Sequence, residues 1–422
     1  MPAACEASLR DVVVRSAVVA VGDELLLGDI VNGNAAWLGA RLAEVGAPVV
    51  HSSAVGDDVG RIVTALRRAL EDADLVVTTG GLGPTVDDVT RDAVALVADA
   101  PLERMPELEQ SLRERFAAYG YSDLPDAVMR QADVPRGATV LDNPVGSAPG
   151  LRVDVDGRTL IALPGPPHEL AATLSAEVLA DLGALSGEVG LTRTLHCAGV
   201  GESHVAGLVD AALDLPADVV LAYLAGSGIV RVRLTTTAAT AEQCGALLDP
   251  HVERAAQALG DDVFGRDDDT LAGVVVRRLA DRGQTLAVAE SLTAGLVGAA
   301  VTEVAGSSAV FRGGVQVYAT DLKAQLAGVP DQVLAEHGAV SAETASAMAD
   351  GVREALGADW GLGLTGVAGP DPQEGHPPGT VHLAVAGPDG VTVRSARLPG
   401  DRQRVRLLAV SAALDLLRRR LS

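Results

Sequence analysis

This 422-residue chain is short of positive charge. It carries 33 Lys and Arg residues against 56 Asp and Glu residues, and its formal net charge at pH 7 is −23. Affinity for nucleic-acid backbones comes largely from Lys and Arg side chains, so this balance argues against a broad nucleic-acid surface and leaves only a local basic patch open. We therefore do not expect direct binding to nucleic acid.

Cysteine is scarce as well. Cys5, Cys197 and Cys244 lie far apart and form no CxxC pair, so the sequence predicts neither a zinc knuckle nor a disulfide framework and favours a reducing compartment. No window approaches the roughly 18 apolar residues of a membrane span, and the first residues lack a basic-then-apolar signal pattern. We expect a cytoplasmic protein with no membrane partner.

Apolar residues are abundant, at 48% of the chain, and Ala, Val, Leu and Gly dominate. This composition is typical of α/β proteins with well-filled sheets, and the length exceeds a single core. We predict two three-layer α/β domains joined by a small α+β module. The expected boundaries are an N-terminal extension at 1–15, a first α/β domain at 16–183, the module at 184–260 and a second α/β domain at 261–422.

The first domain shows alternating strand and helix patterns, which predict a parallel βαβαβ sheet. An exit loop at 22–24 should follow the first strand, and Asp156-Gly157 should turn a hairpin between strands at 151–155 and 159–163. A helix should follow from about His168. The other elements predicted here are strands at 16–21, 48–55 and 75–79 and helices at 34–45 and 58–70.

A glycine-rich run from Thr78 to Asp88 follows the third strand. Its glycines can expose backbone N–H groups to phosphate at a helix start. Asp87 and Asp88 would repel bare phosphate but suit a divalent cation that bridges carboxylate and diphosphate oxygens. An ordinary strand-to-helix connection, with Asp residues that favour the helix dipole, explains the run equally well.

The module at 184–260 contains short segments, among them a strand at 229–237. Its Gly199-Val200-Gly201-Glu202-Ser203 run fits a turn better than a ligand loop. A surface connection at 265–269 should lead into a second α/β alternation. There we predict strands at 286–289, 314–319, 361–365 and 380–386. Helices should lie at 293–304 and from just after Ser341 to about 356. Asp401 should cap the last helix, and the basic triplet at 418–420 should mark its end.

Two strand exits in the second domain can carry chemistry. They are residues 289–295 and 364–371, and ligands bind at such exits in open α/β sheets. Ser291 can act as a nucleophile if a base lies within reach, and Lys323 or Tyr318 can activate it. The alternative is that Ser291 or Thr293 merely caps a helix.

Several motifs together resemble the CinA family (competence/damage-inducible protein A). In the first domain they are residues 21–28, 80–88, 143–146 and 163–167, and in the second they are Glu290-Ser291, 311–315, Tyr318, Lys323 and 365–370. The resemblance covers nearly the whole chain. It implies a domain similar to molybdopterin-binding proteins, a KH-like module and a nicotinamide mononucleotide amidohydrolase domain.

The resemblance implies two hydrolytic activities: deamidation of nicotinamide mononucleotide and metal-dependent hydrolysis of ADP-ribose. The nucleotides themselves are the partners that it implies. From the compact α/β domains we also expect a homodimer, with the final helix as a candidate interface. A divalent metal, magnesium, manganese or cobalt, is expected at the N-terminal site on Asp23, Glu24, Asp87 and Asp88, with Gly80, Gly81, Gly83, Thr85 and Asn143 around the diphosphate. No cofactor is expected at the C-terminal site. There Ser291 would be the nucleophile, and Lys323 or Tyr318 would accept and return its proton. The residues expected to bind the substrate are Thr293, Gly295, Arg312, Thr365, Gly366 and Gly369.

One departure stands out. The family commonly has Ser-Cys-Thr-Gly-Gly where this chain has Ser291-Leu292-Thr293-Ala294-Gly295, so Ala294 adds a Cβ where the backbone can need a positive φ. Two other functions stay open: molybdopterin binding or nucleotidyl transfer, and a non-enzymatic role in competence or DNA damage.

Overall fold

The computed structural model describes residues 14–121 and 123–422. These residues divide into two compact units. The first contains the described residues up to Thr192 together with Thr235–Leu247, and the second contains Arg193–Leu234 and Leu248–Ser422. Most of the predicted N-terminal extension, including Cys5, lies outside the described residues.

The N-terminal domain is built on a six-stranded sheet with the order β2-β1-β3-β8-β7-β6, and β4 pairs with β5 separately. β1 runs parallel to β2 and β3, which confirms the βαβαβ prediction, and β7 and β8 form the predicted antiparallel hairpin. The strands are β1 Ser16–Val21, β2 Val49–Val55, β3 Leu75–Thr79, β4 Leu102–Arg104, β5 Asp133–Pro135, β6 Thr139–Leu141, β7 Gly150–Val155 and β8 Arg158–Leu163.

Helices cover this sheet, and two apolar clusters form its core. The exit loop predicted at 22–24 was wrong in part, because Asp23 and Glu24 open a short helix whose first turn gains from acidic side chains. The helix predicted from residue 58 begins at Val59, and Asp58 caps it by accepting a hydrogen bond from Arg61 N. The helices are α1 Asp23–Leu27, α2 Gly33–Glu44, α3 Val59–Asp72, α4 Thr90–Val97, α5 Pro106–Ala118, α6 Asp126–Met129, α7 Pro167–Thr173 and α8 Ala176–Ser186.

The α+β module contains a four-stranded sheet with the order β10-β11-β9-β12. Its last strand includes Gly265 and Arg266, which the sequence assigned to a surface connection, because this segment pairs with β9. The elements are β9 Val189–Ala198, α9 Glu202–Ala212, β10 Val220–Gly226, β11 Ile229–Ala238, α10 Ala241–Leu259 and β12 Val263–Arg266.

The C-terminal domain has a five-stranded sheet with the order β14-β13-β15-β16-β17. β13 is parallel to β14 and β15, so the exits of these three strands share one edge. The strands are β13 Leu286–Glu290, β14 Phe311–Gln316, β15 Trp360–Gly366, β16 Thr380–Gly387 and β17 Gly390–Arg397, and the helices are α11 Leu271–Asp281, α12 Leu296–Thr302, α13 Thr320–Ala327, α14 Asp331–His337, α15 Ala342–Ala355 and α16 Arg402–Arg420.

Three predictions for this domain need correction. The strand predicted at 314–319 lies at Phe311–Gln316, and the helix predicted from residue 293 begins at Leu296, because residues 291–295 form a turn. The basic triplet is more than a helix end: Arg418 is buried and its guanidinium bonds the buried Asp415 carboxylate at 2.7 Å. Asp401 caps α16 as predicted, accepting from Arg404 N.

Candidate active sites

Ser291 and Lys323 meet where β13 ends. The backbone N–H of Ser291 bonds the carbonyl of Leu364 on the neighbouring strand, so Ser291 continues the sheet for one residue before the chain turns. Lys323 lies on α13, and its Nζ is 3.2 Å from Ser291 Oγ and 2.9 Å from the carbonyl oxygen of Val317. The structure thus brings the predicted nucleophile and one predicted activator into hydrogen-bond contact.

Lys323 is 2% exposed and is the single lysine in the sequence. Burial lowers the pKa of its amine, and the carboxylates of Glu374 and Asp321 oppose that shift more weakly. A lysine can lose its proton when buried, whereas an arginine cannot, so this amine can act as a base. The singularity of Lys323 is a sequence signal that the motif analysis did not use.

Neither hydroxyl in the turn caps a helix. α12 begins after Gly295, and no side chain of its N-cap residue bonds its amides. The buried carboxylate of Glu290 caps the helix instead. It accepts hydrogen bonds from the N–H groups of Gly295, Val297 and Gly298 at 2.9–3.1 Å. The helix-capping alternative for Ser291 and Thr293 was therefore wrong.

Arg406 holds the same turn from the other side. Its guanidinium donates to the carbonyls of Leu292 and Thr293, both at 2.9 Å. Ala294 has φ +49°, so the expected conflict between a Cβ and a positive φ is present in the fold. The turn is strained at one residue and fixed by two charged side chains.

A cavity of about 130 Å³ opens beside Ser291 and Lys323. The predicted residues Thr365, Gly366 and Gly369 line it, and the Thr365 hydroxyl donates to the carbonyl of Ala339. Tyr318 also lines it, but its hydroxyl accepts from Arg402 at 2.7 Å and no bond joins it to Ser291 in the described chain.

Three predicted substrate residues lie outside this cavity's lining. Thr293 is buried in the turn, and its hydroxyl has no partner among the described residues. Gly295 precedes α12, and a Cβ there would lie 2.7 Å from the Gln316 amide nitrogen. Arg312 sits at the start of β14, opposite the strand exits, and donates to the Leu356 carbonyl.

The N-terminal domain has its own cavity, of about 430 Å³, at the exits of β1, β2 and β3. Gly80 and Gly81 line it, as predicted. Gly80 has φ +101°, and a Cβ there would lie 2.2 Å from the Val21 carbonyl oxygen, so only glycine fits this crossing of two strand exits.

Carboxylates rim this cavity. Three of the four predicted metal ligands, Glu24, Asp87 and Asp88, line it, and Asp57 joins them. Burial raises the pKa of Asp57, and the nearby charges of Asp23, Glu24 and Asp87 raise it further, against a lowering backbone hydrogen bond from Asp23. A cation at this rim would relieve that repulsion.

The rim does not form a complete cage for a metal. Among the described residues, no three His, Cys, Asp or Glu side chains are arranged to hold an ion by themselves. Magnesium is usually held by one or two carboxylates plus substrate phosphates rather than by a complete protein cage, so the rim suits a metal shared with a diphosphate.

Other predicted N-terminal residues have structural partners. The Asp23 carboxylate accepts from Asp57 N, and Asp23 is not part of the cavity lining. The backbone N–H and the hydroxyl of Thr85 both donate to the Asp88 carboxylate. Thr85 and Gly83 line a neighbouring cavity. Asn143 is buried and donates to Ala148 and Glu169.

Sequence analysis missed three lining residues. Asp57 follows β2, and the shared edge of parallel strands is the signal that could have found it. Asn34 bonds Thr79 Oγ1 and the Gly165 carbonyl in the same cavity. Arg402 reaches the C-terminal cavity from the start of α16, 111 positions after Ser291, and no local pattern predicts that.

Family models match the chain in three consecutive parts: "Probable molybdopterin binding domain" at residues 17–184, "Damage-inducible protein CinA KH domain" at 192–265 and "CinA C-terminal domain" at 268–421. A "CinA-like protein" of Frankia casuarinae is 49% identical over 97% of this chain and 96% of its own. A "Putative competence-damage inducible protein" of Desulforamulus reducens is 40% identical over 96% and 98%, respectively.

A crystal structure titled "the protein CinA with unknown function" from Thermoplasma acidophilum is 39% identical, with a TM-score of 0.38, and covers 40% of this chain and 97% of its own. Within the described residues, no helix is long and apolar enough to cross a membrane. Fold and sites define a multidomain α/β protein that joins a molybdopterin-binding-type domain to a KH module and a CinA C-terminal domain. The chain belongs to the CinA family.

Proposed function

We propose that the C-terminal site deamidates nicotinamide mononucleotide to nicotinate mononucleotide and ammonia. The observation that carries this proposal is the buried Lys323 amine, 3.2 Å from Ser291 Oγ at the edge of a cavity. The substrate follows from the family resemblance, and the geometry supports acyl transfer by a serine with a lysine base.

In the first step, neutral Lys323 accepts the hydroxyl proton while Ser291 Oγ bonds the carboxamide carbon. The Val317 carbonyl accepts a hydrogen bond from Nζ, which holds the amine beside Ser291. The carbonyl oxygen of the substrate gains the negative charge. Donors for it are the N–H groups of Leu292 and Thr293, which have no acceptor within the described chain and whose carbonyls Arg406 holds.

In the second step, the tetrahedral adduct collapses. The C–N bond breaks, Lys323 returns its proton to the leaving nitrogen, and ammonia departs from an ester on Ser291. Water then attacks this ester as Lys323 takes one of its protons, and the C–O bond to Ser291 breaks. The acid product leaves and the proton returns to the serine oxygen, so both groups are regenerated.

The test is ammonia release from nicotinamide mononucleotide by the wild type and by Ser291→Ala, with folding checked for both. Loss in the variant alone supports the proposal. An inactive wild type would count against it and would direct attention to the Ser-Leu-Thr-Ala-Gly turn.

For the N-terminal site we propose hydrolysis of ADP-ribose to AMP and ribose 5-phosphate. The acidic rim of Glu24, Asp57 and Asp87 would hold a divalent metal together with the diphosphate. When bound, the metal neutralises the diphosphate and makes water more acidic. The chain itself contributes the glycine-rich loop, of which Gly80 and Gly81 line the cavity where the diphosphate would lie.

AMP formation from ADP-ribose, measured with and without a chelator in the Ser291→Ala background, tests this second activity separately. The matched domain model carries the name of molybdopterin binding. Tight molybdopterin binding without ADP-ribose turnover would therefore favour a binding function for this domain.

A further inference from the structure

A third cavity, of about 370 Å³, lies inside the second compact unit and shares no lining residue with either proposed active site. Its walls come from the Gly199–Glu202 turn, the hairpin between β10 and β11, the end of β17 and one side of α16. The function proposed above leaves it unused.

Two arginines line this cavity without an ionic partner. Arg394 lies on β17 and Arg404 on α16, and neither guanidinium has an ion pair or a hydrogen bond with any described residue. Glu202 also lines the cavity but pairs with neither of them. Arg394 is half-buried and Arg404 is exposed, so the two guanidiniums bring positive charge to one cavity in a chain of net charge −23 and can attract an anion.

The backbone comes close to one of these guanidiniums. Gly199 has φ +78°, and a Cβ there would lie 3.5 Å from Arg394 Nη1 and 2.8 Å from an Asp415 carboxylate oxygen. α9 then begins at Glu202 without a side-chain cap. The N–H groups of His204 and Val205 bond the Gly201 carbonyl, so those of Glu202 and Ser203 are the ones that can add donors to those of the arginines.

Apart from Glu202 and Ser227, the side chains in the rest of the cavity wall are apolar. Ile229, Leu398 and Leu408 contribute to its wall. Ser411 Oγ donates to the Ser227 carbonyl at 2.7 Å, which ties the β10–β11 hairpin to α16 and holds that wall in place. A ligand that fills this space needs an anionic end and an apolar or heteroaromatic body.

We propose that this cavity binds a phosphomonoester with a heteroaromatic body, the chemistry of a nucleoside monophosphate. The phosphate bonds Arg394 and Arg404 with help from the first amides of α9. The base lies against Ile229, Leu398 and Leu408.

The few isoleucines of the sequence make it possible to locate ligand binding by NMR. It contains four isoleucines, Ile30, Ile62, Ile161 and Ile229. Ile229 lines this cavity, Ile30 lines the N-terminal cavity, and Ile62 and Ile161 are buried in the N-terminal core. In full-length protein with labelled isoleucine δ1-methyl groups, four NMR signals thus separate binding here from binding at the proposed hydrolase site, while the two buried methyls report folding.

We expect AMP to shift the Ile229 methyl signal saturably and adenosine to bind there at least about tenfold more weakly, because charged hydrogen bonds to phosphate would be lost. Arg394→Gln should weaken AMP by a similar factor, about tenfold or more. Arg397→Gln, an exposed position on the same strand outside the lining, should bind like the wild type.

Three results would overturn the proposal. One is an Ile229 methyl signal that does not shift at millimolar AMP or at millimolar phenyl phosphate, whether or not the Ile30 methyl signal shifts. Another is an equal response to adenosine and AMP. The last is an Arg394→Gln protein, folded by its Ile62 and Ile161 signals, that binds AMP as tightly as the wild type.

Discussion

The amine of Lys323 lies 3.2 Å from the hydroxyl oxygen of Ser291, across 32 positions of sequence. Every other cationic side chain among the 33 Lys and Arg residues is an arginine. The single lysine side chain of the sequence thus lies at the serine that directly follows β13, where a base is useful and a permanent charge is not.

Replacing Lys323 by Arg keeps the positive charge and removes the base. We expect ammonia release from nicotinamide mononucleotide to fall by about 10²- to 10⁴-fold. Gln325→Arg, which places the same residue type on the exposed side of α13, is the matched control and should stay near wild type. A Lys323→Arg enzyme with wild-type turnover would contradict the role of Lys323.

The single lysine makes its protonation directly measurable. With ε-¹³C-labelled lysine, one side-chain NMR signal should titrate with a midpoint below 10.5, since burial lowers the pKa of Lys323. The rate of ammonia release should rise with pH as the amine deprotonates. A midpoint at or above 10.5 would refute the proposed base.

The same shift has a consequence for stability. Between the folded and unfolded pKa values, the unfolded chain binds more protons at Lys323, so this group makes the free energy of unfolding rise with pH. Its cost is fully present below the folded pKa and absent above the unfolded one. Lys323→Met should therefore gain stability relative to the wild type at low pH, and chemical denaturation across pH should show that gain shrinking as pH rises.

Ala294 holds a positive φ on an exposed turn. Ala294→Gly should raise the free energy of unfolding by about 0.5–1 kcal/mol, because relief of the left-handed strain exceeds the added entropy of the unfolded chain. Ala299→Gly, exposed within α12, should lower it by about 0.5–1 kcal/mol. Urea denaturation of the two variants measures the contrast, and equal losses would show that Ala294 is not strained.

Glu290→Gln removes an acceptor from the carboxylate that bonds three amides. We expect a loss of about 1–3 kcal/mol in the free energy of unfolding, because a buried N–H is left unsatisfied. Ammonia release should fall too, since the turn that carries Ser291 loses an anchor. Exposed Glu303→Gln, at the end of α12, should change stability by less than about 0.5 kcal/mol, and a similar small effect at Glu290 would exclude the capping role.

At the N-terminal site, AMP formation from ADP-ribose should stop with a chelator and return with magnesium. Asp57→Asn should weaken magnesium binding, because it removes a negative charge from the rim. The magnesium concentration needed for the half-maximal rate should therefore rise. Glu71→Gln, exposed on α3, is the control. Full activity of Asp57→Asn at unchanged magnesium demand would remove Asp57 from the proposed metal site.

Much of this architecture could be predicted from local patterns. β1 and β3 have the apolar runs of buried strands, and Asp58 and Asp401 precede helices that they do cap. Prediction failed where a distant group replaced a local one: Glu290, not Ser291 or Thr293, caps α12, because its strand ends directly over the first amides of that helix.

The sequence by itself determined the order of the strands and helices, the family motifs and the glycine-rich loops, since each depends on neighbours a few residues apart. Only the tertiary structure decided that Lys323 rather than Tyr318 contacts Ser291, that Asp57 joins the acidic rim and that Arg394 and Arg404 face one cavity. These relationships depend on which strand exits and helices the packed core brings together, and burial, which also sets the direction of the Lys323 pKa, exists only once that core has formed.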